Sequence, residues 1–260
     1  MICFLKKYGK TLLFFALAGL IGGFFTGLFV PETYPADLRQ QLLEELHASG
    51  LSGLPVDLLL GVVTAFQAAG YGLILGAAGI WLGKKTGLWK DEANFSRIPL
   101  TVAFAVALVG GLAMILPDLL FFGPNSQAIL DSYASKPSLA FILAGIIYGG
   151  VIEEVMLRLF MMSLFAFLLH KILGKGQEKP SAGILVISNL LSALLFAAGH
   201  LPATFLILGS SPLIIFRCFL LNGGIGVLFG WLYRKYGLRY AMVAHAGCHA
   251  VSKLIWLLFL

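Results

Sequence analysis

Residues 149-GGVIEEVMLRLF-160 put two adjacent glutamates and an arginine inside an apolar run long enough to cross a bilayer. A charge at mid-span costs about 2.5–3.5 kcal/mol on insertion scales. Glu153, Glu154 and Arg158 together would therefore cost on the order of 8–10 kcal/mol uncompensated. Part of the compensation is local. Glu154 and Arg158 stand at i, i+4, share a helix face and can pair. Glu153 points about 100° away around a regular helix and has no partner at that spacing. A structural role explains the pair and leaves Glu153 over. A carboxyl group in a low-dielectric pocket is suited to accept and return a proton near neutral pH.

The surrounding chain is of one kind. Of its 260 residues, 59% are hydrophobic and 12% charged, and the mean hydropathy is +0.94. A soluble domain carries roughly a quarter charged residues. The expected fold class is all-α: a polytopic transmembrane helix bundle. Apolar runs at about 11–30, 57–83, 99–122, 139–169, 182–199, 212–233 and 240–259 give about seven spans. The N-terminal run is read as a retained first span rather than a cleaved signal. Residues 1–138 form an N-terminal unit of about three spans, with an amphipathic outer loop at 31–54. Residues 139–260 form a four-helix unit.

The lysines and arginines fix an orientation. With the N-terminus inside, 13 of the 18 fall in inner segments: Lys6, Lys7, Lys10, Lys84, Lys85, Lys90, Arg97, Lys171, Lys175, Lys179, Arg234, Lys235 and Arg239. Only Arg39 and Lys136 fall outside, and Arg158, Arg217 and Lys253 lie within spans. The net charge of +6 is thus topology and not nucleic-acid binding. Arg217 and Lys253 are expected to snorkel to the interface. Asp57 and Asp118 are read as interfacial. Glycines recur every fourth residue at 19/23/27, 72/76, 145/149 and 226/230, ridges that let helices approach closely.

Of five histidines, His47 lies in the outer loop and His170 at an inner helix end. The other three are His200, in 196-FAAGH-200, and His245 and His249, in 245-HAGCH-249, one turn apart on one face. Three histidines and two glutamates in one bundle point to chemistry rather than packing. HAGCH lacks the glutamate of HExxH, and no GxSxG elbow occurs. Cys3, Cys218 and Cys248 have no metal or disulfide spacing.

In order, the chain carries EExxxR at Glu153–Arg158, FxxxH at Phe196–His200 and HxxxH at His245–His249. This set, with its flanking GGVIEEVMLRLF and SNLLSALLFAAGHLP, resembles the CPBP (Abi) family of intramembrane proteases, which joins CAAX prenyl endopeptidases and bacteriocin-processing enzymes. The resemblance covers about residues 139–255, so the catalytic core is expected in the last four spans. It implies an endopeptidase hydrolysing a membrane-embedded or lipidated peptide in a bilayer, in a bacterial inner membrane with the N-terminus cytoplasmic. Glu153 would activate water with help from His200. His245 and His249 would hold the scissile carbonyl and its oxyanion. Glu154, Arg158 and Phe196 would support the site. The last motif position is often asparagine in this family and is His249 here. His200, His245, His249 and Glu153 have the ligand types of a zinc site; a metal-free glutamate–histidine mechanism is preferred. The alternatives are a non-catalytic scaffold, immunity or sensor-control protein on the same fold, and a proton-coupled transporter, which lacks the expected inverted repeat.

Depth sets one condition. His200 lies about 27 Å along its helix and His245 about 8 Å along the last one. The expectation is a tilted fifth helix, a re-entrant or buried connection at 201–211, and a polar cavity opening to the inner side.

Overall fold

The computed structural model describes residues 2–50, 53, 55–91, 95–174 and 176–260; Lys175 lies outside them. Among the described residues the chain is all helical. Seven helices are long and apolar enough to cross a membrane: α1 (Cys3–Thr33), α2 (Val56–Thr86), α3 (Arg97–Asn125), α4 (Leu139–Leu173), α5 (Ala182–Leu208), α6 (Pro212–Tyr236) and α7 (Leu238–Phe259). Large apolar side chains such as Phe66, Ile74, Ile98 and Leu120 face outward, as lipid-facing helices require. The chain is an integral membrane protein.

Local chemistry sets the boundaries. The hydroxyls of Ser138, Ser181 and Ser211 accept N–H bonds from Phe141, Ile184 and Ile214 and so cap α4, α5 and α6. Gly87 (φ 75°) ends α2, and Gly237 (φ 111°) makes the one-residue turn between α6 and α7; both positions favour a residue without Cβ. The amphipathic stretch of the outer loop forms a helix, Ala36–Ala48, with no buried residue.

α4 is the centre of the bundle. It packs on α1 and α2 on one side and on α5, α6 and α7 on the other, and α7 lies along α3. From Ala144 to Glu153 and again from Val155 to Met162 it is π-helical, with each turn wider than an α-turn. Such turns are frequent at functional sites.

The glycine ridges are packing seams. A Cβ on Gly19, Gly23 or Gly27 of α1 would lie 2.5, 2.5 or 2.3 Å from the carbonyl oxygens of Ala68, Thr64 and Leu60 on α2. Polar rungs join α5 to its neighbours: Ser192 Oγ donates to the Leu157 carbonyl of α4 (2.7 Å), and Asn189 Nδ2 to the Val227 carbonyl of α6 (3.0 Å).

The basic segments gather at one end. Lys7 Nζ (2.8 Å) and Trp89 Nε1 (2.7 Å) donate to Asp91 and hold its carboxyl below the usual range. Lys90 Nζ donates to the Lys235 carbonyl, and Lys84 lies over the Tyr8 ring. At the opposite end two expectations are corrected. Asp118 is fully buried, not interfacial, and Arg217 does not snorkel: it forms a fork on Asp118. Lys253 is buried too, its ammonium 3.9 Å from the Phe141 ring centroid. Each finds a partner inside the protein, which removes the reason to reach for water. Asp57 does stay near the surface, 3.6 Å from Arg39.

The segment 201–211 is also corrected. It is no re-entrant loop, because α5 continues through Pro202 to Leu208. Its 27 residues make about 40 Å at 1.5 Å per residue. That exceeds a hydrocarbon core of about 30 Å, so a helix of this length tilts or overhangs. The mismatch in depth is absorbed by length rather than by a break.

The α1–α2 seam has no room for a side chain. Gly23→Leu is expected to cost at least about 1–3 kcal/mol through overpacking, read as a lowered midpoint in thermal unfolding of the purified protein in detergent. An unchanged midpoint would contradict the close backbone approach.

Candidate active site

The site begins with the buried charges of α4. Glu154 is 0% and Arg158 1% exposed, and Arg158 Nη1 lies 3.1 Å from Glu154 Oε1. The pair expected from the i, i+4 spacing is therefore made. It is not alone. Arg158 Nη2 donates to the Gly226 carbonyl of α6 (3.0 Å), and the guanidinium lies over the rings of Phe196 (4.5 Å) and Phe229 (5.4 Å). A Cβ on Gly226 would stand 2.9 Å from Arg158 Nη2, so α6 needs glycine there.

The same carboxylate reaches α7. His245 Nδ1 donates to Glu154 Oε1 at 2.8 Å. The ring is clamped on one face by Phe229 (centroids 4.4 Å, 21°) and stacks on His249 (5.1 Å, 23°). His245 Nε2 then lies 3.8 Å from Glu153 Oε2. In a regular helix Glu153 would diverge from Glu154 by about 100°. The wider π-turns of α4 reduce that divergence, and the two carboxylates engage opposite nitrogens of one imidazole. Glu153, at 20% exposure, is the more open of the two.

Glycines on α4 shape the rest. A Cβ on Gly149 would lie 2.9 Å from His249 Nε2 and 3.5 Å from His245 Nε2; one on Gly145 would lie 2.9 Å from His249 Nδ1. The two imidazoles thus lie directly against helix backbone, with both Nε2 atoms beside Gly149. His200 Nδ1 bonds the Phe196 carbonyl at 2.8 Å, and its ring packs edge-on against Phe196 (4.6 Å).

Hydrogen-bond partners assign the tautomers. A carboxylate or carbonyl oxygen can only accept, so His245 and His200 carry a proton on Nδ1 and keep a bare Nε2 when neutral. His249 Nδ1 is buried without a partner. A buried acceptor without a partner costs less than a stranded donor when the ring carries its proton on Nε2, which makes His249 Nε2 a donor.

A cavity of about 100 Å³ lies beside the histidines; His200, His245, His249, Phe196, Phe229 and Arg217 are among its lining residues. It runs from the histidines past Asn222 and Leu221 to Arg217, toward the end opposite the basic residues. The expected opening at the basic end is therefore corrected. On that side Phe229, Leu232, Tyr233 and Leu159 are packed into the main core.

Of the seven residues singled out in the sequence, Phe196, His200, His245 and His249 line this cavity; Glu153, Glu154 and Arg158 are not among its lining residues and contact it through His245 and Phe196. His47 and His170 lie elsewhere. The sequence reading missed Phe229, which carries no motif, and the cradling role of Gly145, Gly149 and Gly226. Their fourfold spacing was visible and was read as helix packing only.

Residues 135–251 match the family model described as Rce1-like, type II CAAX prenyl endopeptidase. The match covers somewhat less than half of the chain. The matched segment, which spans α4 to most of α7, is similar to that endopeptidase family. No curated protein and no solved structure matches the chain.

His200, His245, His249 and Glu153 have the ligand types of a zinc site, but in this structure their side chains are not brought onto one common point. Zinc sits 2.0–2.1 Å from a histidine nitrogen and close to the ring plane. The planes of His245 and His249 are nearly parallel and do not share such a point. Among the described residues no three His, Cys, Asp or Glu side chains are grouped to hold a metal ion.

Removing one partner of a buried ion pair strands the other. Arg158→Met is expected to cost about 3–5 kcal/mol, whereas Glu154→Leu with Arg158→Leu recovers at least half of that loss. Thermal unfolding in detergent reads both. An Arg158→Met protein as stable as wild type would remove the pair from its structural role.

Proposed function

We propose that the chain is an intramembrane endopeptidase whose nucleophile is a water held between Glu153 and His245. The carrying observation is the 3.8 Å separation of Glu153 Oε2 and His245 Nε2. That gap is too long for a direct hydrogen bond and fits one water bonded to both. The partner of Glu153 in this reading is His245 rather than His200.

The residues then divide the work. Glu154 accepts from His245 Nδ1 and turns Nε2 toward the water, as a carboxylate orients the histidine of a catalytic triad. Arg158 holds Glu154 in place through the ion pair. Glu153 takes a proton as the water oxygen adds to the scissile carbonyl carbon. His249 Nε2–H donates to the oxyanion that forms, the part a neutral amide would play in its place. When the C–N bond breaks, the proton on Glu153 passes to the departing amine, and the carboxyl product keeps the water oxygen. His200 offers a bare Nε2 to the cavity and orders the substrate N–H groups.

The substrate class is a membrane-embedded or lipidated peptide, favoured by the mainly apolar walls of the cavity and by the prenyl-endopeptidase family. The gathering of basic residues supports an orientation with the N-terminus on the cytoplasmic side. No step here requires a metal.

The test compares peptide termini in membranes holding the wild type or the Glu153→Gln protein. Glutamine keeps shape and hydrogen bonding and removes the base, and loss of a positioned base lowers the rate about 10²–10⁴-fold. New termini are expected only with the wild type. Equal termini at equal abundance would overturn the role of Glu153.

A further inference from the structure

Away from the glutamates, the cavity ends at a second buried charge cluster. Asp118 of α3 is 0% exposed. It accepts from Arg217 Nε at 2.6 Å, from Arg217 Nη2, and from the Tyr133 hydroxyl at 2.8 Å. Tyr133 lies in the connection between α3 and α4. Burial, and then the neighbouring Asp118 carboxylate, push its phenol up, so it stays a neutral donor. Arg217 itself is 17% exposed and lines the same cavity as His200, His245 and His249.

A purely structural pair would satisfy itself and turn away from open space. This one does not. The contact with Asp118 is side-on, through Nε and Nη2, and uses two of the guanidinium's five N–H donors. The Nη1 end of the fork is left over on an arginine at the cavity wall. Asp118 and Tyr133 lock the group from behind, so little side-chain entropy remains to be lost on binding.

We propose that Arg217 binds the peptide substrate, donating from its Nη1 end to a main-chain carbonyl oxygen and so fixing the chain's register across the histidines. The charge balance selects the acceptor. Asp118 already neutralises the guanidinium, and a carboxylate added to the cluster would leave a net negative charge in low dielectric. A neutral carbonyl adds none. This inference rests on the peptidase reading above and assigns a substrate-binding residue on α6, outside the three motifs.

Arg217→Lys is the informative variant. Lysine keeps the ion pair with Asp118 and hence the fold, but it is a point charge without a second fork edge. A second variant, Arg217→Leu with Asp118→Leu, removes the pair without stranding either charge. The probe is a fluorescent synthetic peptide ending in a farnesylated CAAX box, prepared as the free acid and as the C-terminal amide. Affinity is read on protein carrying Glu153→Gln, and KM and kcat on protein with Glu153 intact.

Both variants are expected to unfold within a few degrees of the parent. Each should raise Kd and KM by roughly tenfold to a hundredfold, the range for a hydrogen bond from a charged group, with kcat changed far less and the acid and amide peptides affected alike. Unchanged Kd and KM would overturn the proposal, as would a penalty confined to the free acid, which would make Arg217 a reader of the terminal carboxylate. A Kd that depends on Arg217 without any cleavage by the Glu153 protein would instead overturn the peptidase reading and leave this one standing. A peptide that binds none of the proteins would overturn both.

Discussion

Three charges in the middle of α4 are the constraint around which the other helices are arranged. Glu154 and Arg158 cannot face lipid, and a two-residue pair does not use all their hydrogen-bonding capacity. Arg158 therefore recruits the Gly226 carbonyl of α6 and the faces of Phe196 and Phe229. Glu154 recruits His245 of α7. One ion pair thus draws α5, α6 and α7 to the same level of α4. His245 is oriented by its bond to Glu154 Oε1, and that orientation is what makes Glu153 chemically interesting.

Glu153 is the residue for which packing offers no explanation. It is partly exposed, while its neighbour is sealed. Adjacent residues with such different surroundings are a recognised way of giving two carboxylates separate roles, one structural and one reactive. The π-helical turns of α4 are the backbone feature that permits it, since they let consecutive side chains address two nitrogens of one ring.

Much of this was legible in the sequence. The number of spans followed from apolar runs, the Glu154–Arg158 pair from its spacing, and the candidate site from three polar motifs on three different apolar stretches. What was not legible depended on long-range register. Asp118 and Arg217 are 99 residues apart, and each alone reads as a residue near a helix end. Lys253 looks free to snorkel until α4 brings Phe141 beneath its ammonium. The segment after His200 contains proline, glycine and two serines, which suggest a break, yet α5 runs on to Leu208. The direction of the cavity depended on which aromatic residues fill the basic end, and no local pattern encodes that. The π-turns likewise have no signature in a run that is apolar at nearly every position.

The central claim is that Glu154 holds His245 with its proton on Nδ1 and leaves Nε2 as a bare acceptor facing Glu153. Solid-state ¹⁵N NMR of the histidine-labelled protein in lipid bilayers measures this directly, with the His245 signals assigned by their loss in His245→Gln. The account predicts a protonated Nδ1 and an unprotonated Nε2 at His245, together with the opposite tautomer at His249. A His245 carrying its proton on Nε2 with Nδ1 bare would contradict it, because Glu154 could then neither accept from that ring nor turn it toward Glu153.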